Sequence, residues 1–413
     1  MKDKAVGPIN RVQRIGAQAI VRTFLTVATS VAEAEAHIAT AQDRFWRRAI
    51  KLWAEIHSLP KTNPLRSNTY SIRKFRKLHR SPLYQVADAL KGIEMEGMET
   101  INPFALAPWE KRVDTIIDET AAARQVDINW AIRIAVSSSA RNSVVGIGGV
   151  IQTQTSLGDS PRLETFSSTL GKRSEQNAYS GTLAAIARSL SILPAVRCRS
   201  IALLTNNKAA VLTLRKPQQQ SGQEHVCHIY KSIRKLRKKG TLVTIIWLPT
   251  SEENELLKLA KDKAKSATRQ GATPQTQLSR MKSTTLNIAR AKRSTSRLPE
   301  DVGKHSKRVD TALPGKHTRQ LYDRLSWKEA SVLAQLRTGM AKINTYLYRI
   351  KAASTDQCAC GQAKETVEHF LFRCRGGWHI EQRCCNAQIP TEATHLSTSE
   401  GNHHRTTKTG LRT

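Results

Sequence analysis

Acidic residues are scarce in this 413-residue chain: 33 Asp and Glu stand against 66 Lys and Arg, a formal charge of +33. Such an excess repels itself in a compact state and draws in polyanions, which sets nucleic acid ahead of a merely solvated surface. Aromatic residues make up only 5% and apolar residues 39%, so much of the chain is expected as loop, linker or solvated helix. Seven cysteines over this length exclude a disulfide scaffold. No apolar run approaches the ~18 residues that cross a bilayer. The opening MKDKAVGPINRVQRIG lacks the apolar stretch of a secretory leader. The expectation is a reducing, intracellular compartment and no membrane partner.

What is present falls into six parts. Residues 1–60 are helical, with Ile, Val, Leu and Trp at three- and four-residue spacing until Pro60 and Pro64. Residues 61–127 read as a basic linker with a candidate helix, carrying Arg73, Lys74, Arg76, Lys77 and Arg80. Residues 128–270 form an α/β domain. Residues 271–316 are rich in Lys, Arg, Ser and Thr without periodicity and read as a flexible basic linker. A helical tail with a Cys/His group spans 317–380, and a disordered C-terminus spans 381–413.

Within the α/β part, IRIAVSSSARNSVVGIGGVIQ (132–152) reads as strand, polar turn, strand, with Ser137 to Asn142 breaking the run. RLETFSST (162–169) is a third strand, and NAYSGTLAAIARSLSIL (177–193) a helix with Leu183, Ile186, Ala187 and Leu190 on one face. RSIALLT (199–205) and TLVTIIWL (241–248) are apolar as buried parallel strands should be. Helices are expected between and after them. The order βββαβααβα implies a five-stranded mixed sheet with helices on both faces.

That order, with QNAYSGTLAAI, IALLTNN and TIIWLPTSEENELLKLAK, resembles the ribonuclease H domain of retroelement polyproteins. QRIGAQAIVRTFLTVATSVAEAEA is similar to the segment that follows the polymerase in fungal non-LTR (LINE-type) reverse transcriptases. HTRQLYDRLSWKEASVLAQLRTGMAKINTYLYRIKAASTDQCACGQAKETVEHFLFRC (317–374) resembles their extreme C-terminus. The resemblance covers residues from about 10 to about 375, and it implies a C-terminal piece, since no Asp-Asp pair of a polymerase palm occurs.

The resemblance also implies a two-Mg²⁺ centre that cleaves the RNA strand of a hybrid, held by four carboxylates. Matched residue by residue, those places hold Ser137, Thr182, Asn206 and Lys258. Magnesium is a hard ion that wants carboxylate oxygens; hydroxyls and an amide give weak dipoles, and a lysine repels it. Glu175, Asp159, Glu255 or Asp262 would have to rearrange to replace them. A polar strand end without Mg²⁺ is therefore expected, and with it a folded domain without hydrolytic activity.

Cys358, Cys360, His369 and Cys374 form C-x-C-x₈-H-x₄-C, the ligand set of a closed structural Zn²⁺ site. Cys384, Cys385 and His379 are alternative ligands, while Cys198 and Cys227 fall in apolar surroundings and read as core. KSIRKLRKKG puts Lys231, Arg234, Lys235 and Lys238 along one helical side. This is a backbone-gripping surface, or simply a solvated one. RAKR and KHSKR are weak nuclear-address candidates, which puts the nucleus before the cytoplasm. The leading expectation is a non-catalytic nucleic-acid-binding protein (RNA, DNA or RNA–DNA hybrid), with unknown protein partners. Its rivals are an active hybrid ribonuclease and a retroelement remnant without function.

Overall fold

The structure is a computed structural model that describes residues 3–74, 82–102, 106–120, 122, 130–154, 161–193, 200–274, 278–292, 298–315 and 317–374. The chain divides into two compact units, Met1–Phe45 with Thr295–Thr413, and Trp46–Ser294. Three helices open it: α1 (Asp3–Val21), α2 (Thr29–Glu35) and α3 (Ala41–His57), the division falling within α3.

The second unit continues with α4 (Pro64–Lys74), α5 (Pro82–Ala89) and strands β1 (Asp114–Ile116), β2 (Ile132–Arg141), β3 (Val144–Thr153) and β4 (Arg162–Lys172). Then come α6 (Ala178–Ser191), β5 (Ser200–Thr205), α7 (Lys208–Arg215), α8 (Gln223–Lys238), β6 (Leu242–Trp247), α9 (Glu255–Ser266) and α10 (Lys282–Lys292). The strands form one mixed sheet in the order β1-β6-β5-β2-β3-β4. β2, β3 and β4 run antiparallel, whereas β5 pairs parallel to β2, β6 to β5, and β1 to β6. The mixed sheet is as expected, but it has six strands rather than five. The extra strand β1 is three residues long and draws its pairing from β6 rather than from any periodicity of its own.

The expected break at Ser137 does not occur. β2 runs on to Arg141, with Ser137 opposite Gly148 and Ser139 opposite Gly146. The turn is only Asn142-Ser143, both left-handed at φ 48° and 62°, as a two-residue hairpin loop requires. Alternation then sorts the side chains. Ile132, Ile134 and Val136 join Leu203, Ile245 and the apolar faces of α6, α7 and α8 in one core. Ala135, Val150, Leu204 and Ile246 meet Leu257 and Ala260 of α9 on the other. Helices therefore cover both faces, as the element order implies. Three of these helices begin on an asparagine whose side chain accepts a backbone N–H of the first turn: Asn177, Asn207 and Asn254.

Two close approaches depend on glycine. A Cβ on Gly146 would lie 2.5 Å from the Ala264 carbonyl, and one on Gly148 2.5 Å from that of Ala260, so α9 lies almost directly on β3. A Cβ on Gly181 would fall 2.8 Å from that of Ser138, which seats α6 against the end of β2.

Described residues of the segments read as linkers over 61–127 and 271–316 contribute to cores. Ile72, Val86, Leu90, Met95 and Met98 pack with Ile50 and Trp53 of α3 and with Leu286 and Ala289 of α10. The N-terminus of α10 is fixed by buried Glu99, which accepts the Lys282 N–H at 2.8 Å, the Gly222 N–H at 2.7 Å and the Ser221 hydroxyl. A composition rich in Lys, Ser and Thr hides a helix that turns Leu286 and Ala289 inward.

The first unit gathers α1 and α2 with α11 (Lys304–Val309), α12 (His317–Tyr322), α13 (Trp327–Thr338) and α14 (Asn344–Arg349). One core joins Ala17, Val27, Val31, Leu298 and Leu313; another joins Ile343, Tyr346 and Val367 with Phe370 and Leu371. Arg337, partly buried, lies between Glu35 (3.0 Å) and Asp310 (2.6 Å). Burial opposes the charge on Arg337, but these two carboxylates outweigh it and raise its pKa. Among the described residues no helix is long and apolar enough to cross a membrane. The expected disordered C-terminus, 381–413, lies outside the described residues, as do Cys198, His379, Cys384 and Cys385.

Candidate functional site

The four positions matched to metal-binding carboxylates, Ser137, Thr182, Asn206 and Lys258, each make their own local contacts, and no hydrogen bond joins one to another. Thr182, 2% exposed on α6, shares a 3.1 Å hydrogen bond with Ser138 rather than contacting Ser137. It also accepts from the Asn207 amide at 3.1 Å. The Ser138 and Thr182 hydroxyls both reach the Ala178 carbonyl, at 2.6 and 3.0 Å. The Asn207 side-chain oxygen caps α7 through the Ala210 N–H. Every polar group of this trio therefore has a partner.

Ser137 projects from the opposite side of the pleat, toward the face that α9 covers, because strand side chains alternate. Asn206 is committed elsewhere. Its amide donates to the Leu248 carbonyl at 2.9 Å, and its backbone carbonyl accepts from the Trp247 indole at 3.1 Å, tying the end of β5 to that of β6. Lys258 is exposed on α9. Of the four substitute carboxylates, Glu175 pairs with Arg280 and Asp262 with Lys265. Glu255 opens α9 and Asp159 lies outside the described residues.

On α8, Ile229 and Ile233 are buried while Lys231, Arg234, Lys235 and Lys238 are exposed, as the helical spacing predicts. Arg234 is not free, however: its guanidinium holds Glu110 at 2.5 Å. Arg237, which the spacing does not single out, donates to the backbone carbonyls of Lys111 (2.7 Å) and Arg112. Only the folded chain brings residues 110–112 beside this helix. Cys227 is half-buried on the same helix, and burial pushes its thiol pKa up.

In the first unit, Cys358, Cys360, His369 and Cys374 come together, their ligand atoms all within 4.8 Å of one another. A hairpin-like knuckle presents the first two. Gln357 bridges Lys364, the Cys358 N–H donates to the Ala363 carbonyl at 2.9 Å, and Gly361 takes φ +71° at the turn. His369 opens a five-residue π-helical turn, His369–Arg373, closed by the Cys374 N–H on the His369 carbonyl at 2.7 Å. That wide turn brings His369 and Cys374 to one side, where ordinary α-helical spacing would separate them.

Zinc–sulfur bonds of about 2.3 Å at tetrahedral angles give a sulfur–sulfur edge of about 3.8 Å. Cys358 and Cys374 stand at 3.7 Å, and Cys360 Sγ lies 3.2 Å from His369 Nε2. The group can hold a metal such as zinc. Burial pushes the Cys358 thiol up to about 11, whereas the Gln362 backbone N–H pulls Cys360 down to about 7. Among the described residues it is the one group of three or more Cys, His, Asp or Glu close enough to share an ion.

No known family model matches the chain, and no curated protein matches it in sequence. Solved structures match in part. RNase H1 from the halophilic archaeon Halobacterium salinarum NRC-1 is 14% identical, over 33% of this chain and 97% of that one, at a TM-score of 0.26. LC11-RNase H1, solved with an RNA/DNA hybrid, is 16% identical over 33% and 99%, at 0.25. The protease-reverse transcriptase of prototype foamy virus is 13% identical over 34% of this chain and 21% of that one, at 0.26.

Proposed function

We propose that this chain is a retroelement-derived nucleic-acid-binding protein whose ribonuclease H-like domain holds no catalytic Mg²⁺ pair. The carrying observation is that Ser137, Thr182, Asn206 and Lys258 offer no carboxylate, with Thr182 closed into a neutral trio with Ser138 of β2 and Asn207, which follows β5, by hydrogen bonds of its own. Two divalent ions in such a site need several negative charges to offset their dehydration, and no carboxylate belongs to the trio. The charge of +33 and the basic side of α8 supply attraction for a phosphate backbone, which depends on counterion release rather than on sequence.

The fungal LINE-type origin, the nuclear address and a structural Zn²⁺ in the Cys358–Cys374 knuckle belong to the same reading, supported by the sequence resemblance and the ligand geometry. Cleavage of a labelled RNA–DNA hybrid in Mg²⁺ and in Mn²⁺, beside a binding titration on the same hybrid, tests it. Binding that weakens steeply with salt and no metal-dependent cleavage above background are expected. Robust cleavage by the unmodified chain would establish the active ribonuclease instead.

A further inference from the structure

Trp109 is the most exposed large apolar side chain among the described residues, at 87%. A packed tryptophan removes about 150–250 Å² from water, and here nearly all of that area stays wet. The residue is nonetheless held in place. The Glu110 N–H donates to the Ala107 carbonyl at 3.1 Å, closing a turn with Pro108 second and Trp109 third, where proline's fixed φ suits the corner. Before the turn, Leu106 packs against the main core of the α/β unit. After it, Glu110 takes Arg234, Arg237 holds the Lys111 and Arg112 carbonyls, and the Val113 N–H donates to the Tyr230 hydroxyl at 3.3 Å. One flank is anchored in the core and the other along α8, and the indole stands at the turn between them.

The neighbourhood is basic. Lys111, Lys231, Lys235 and Lys238 are exposed, and the nearby carboxylate of Glu110 is neutralised by Arg234. A wet π-face on a fixed turn beside ammonium groups suits a polyanion that carries unstacked aromatic rings. A duplex keeps its bases stacked on one another and offers the indole nothing. Resting on the nucleic-acid reading above, we propose that Trp109 is a stacking platform for unpaired nucleotides, with the basic side of α8 holding the adjoining phosphates. The substrate class is then single-stranded or flap-ended nucleic acid, not continuous helix.

The test uses the full chain and fluorescence anisotropy of labelled oligo(dT), a DNA duplex of equal length and an RNA–DNA hybrid. Stacking on one aromatic is worth about 1–3 kcal/mol per base, so Trp109→Ala should weaken oligo(dT) binding roughly tenfold. Trp109→Phe should restore most of it, and duplex and hybrid affinity should change less than about twofold. Stacking releases no counterions, so the salt slope of Trp109→Ala should run parallel to the parent's. Replacing Lys231, Lys235 and Lys238 with Gln should instead flatten the slope on all three ligands. Unchanged oligo(dT) binding by Trp109→Ala, or equal losses on single strand and duplex, overturns the stacking role alone. A parent chain that binds none of the three at low salt overturns the nucleic-acid reading and this inference with it.

Discussion

Two places in this molecule gather polar side chains at the end of an element, and they differ in whether those side chains can satisfy one another. Beside the central strands β2 and β5, Ser138, Thr182 and Asn207 are each donor and acceptor, and they close into a chain with the Ala178 carbonyl. In the knuckle, three thiols and an imidazole converge with contacts of 3.7 and 3.2 Å. A thiol is a weak donor and a weak acceptor, so these contacts offset little of the cost of holding four ligands together. The first place is complete without an ion; the second is arranged as one surrounds an ion. Side chains that can serve one another close on themselves, and side chains that cannot are left facing a common point.

The largest effect expected from this contrast is metal dependence confined to the knuckle. Reduced, purified protein should carry one Zn²⁺ per chain, and Cys358→Ser or His369→Ala should release it. Structural zinc binding in small modules is worth about 10–16 kcal/mol of apparent free energy, far more than the few apolar residues here provide. Val367, Phe370 and Leu371 do rest on Ile343 and Tyr346, so α14 (Asn344–Arg349) should stay helical while 356–374 loosens. Hydrogen exchange reads this directly. The Cys358 and Cys374 amides, bonded to Ala363 and His369, should lose protection, and those of β2 and β5 should keep it. Protein without stoichiometric zinc, or loss of protection across the sheet on chelation, breaks the contrast.

A smaller effect follows from forcing charge into the polar trio. Ser138→Asp combined with Thr182→Glu places two carboxyl groups against each other where Thr182 is 2% exposed. Burial and mutual repulsion both raise carboxyl pKa values. The folded state then binds more protons than the unfolded one, so stability falls as pH rises through the raised values and recovers on acidification. A loss of about 3 kcal/mol at pH 7 corresponds to about two pKa units shared between the pair. Urea unfolding at pH 7 and near pH 4 should show the deficit at the first and little at the second. An equal deficit at both would mean that the side chains merely do not fit.

Much of this architecture can be read from the sequence because its signals are local. The alternation of Ile132, Ile134 and Val136, the apolar runs of β5 and β6, and the C-x-C-x₈-H-x₄-C spacing each lie within a short window. What escapes is non-local. Strand β1 exists through its partner Thr244–Ile246. Helix α10 is held by Glu99, 183 residues earlier, and Arg234 is countered by Glu110, 124 residues away. That Ser138 rather than Ser137 bonds Thr182 escapes for a related reason. Neighbours on a strand point to opposite faces, and only the fold shows which face meets α6. The π-helical turn that aligns His369 with Cys374 also leaves no mark that ordinary helical spacing would reveal.

The finest test of the polar trio therefore sets Thr182 against Ser137. Thr182→Val keeps the shape and the β-branch, so the helix loses no rotamer preference, but it removes the hydroxyl. That hydroxyl donates to the Ala178 carbonyl at 3.0 Å and accepts from Asn207 at 3.1 Å. Ser138 can still donate to Ala178, whereas the Asn207 amide loses an acceptor in a partly buried place. Leaving such a donor unpaired costs about 1–3 kcal/mol, and a lowered urea midpoint at unchanged m-value should show about 1–2 kcal/mol of it. Ser137→Ala, at a half-exposed position with no part in the trio, should stay within about 0.5 kcal/mol of the parent. If Ser137→Ala were the more costly of the two, the polar centre of this domain would lie on the α9 side of the sheet, and the trio would be an incidental contact.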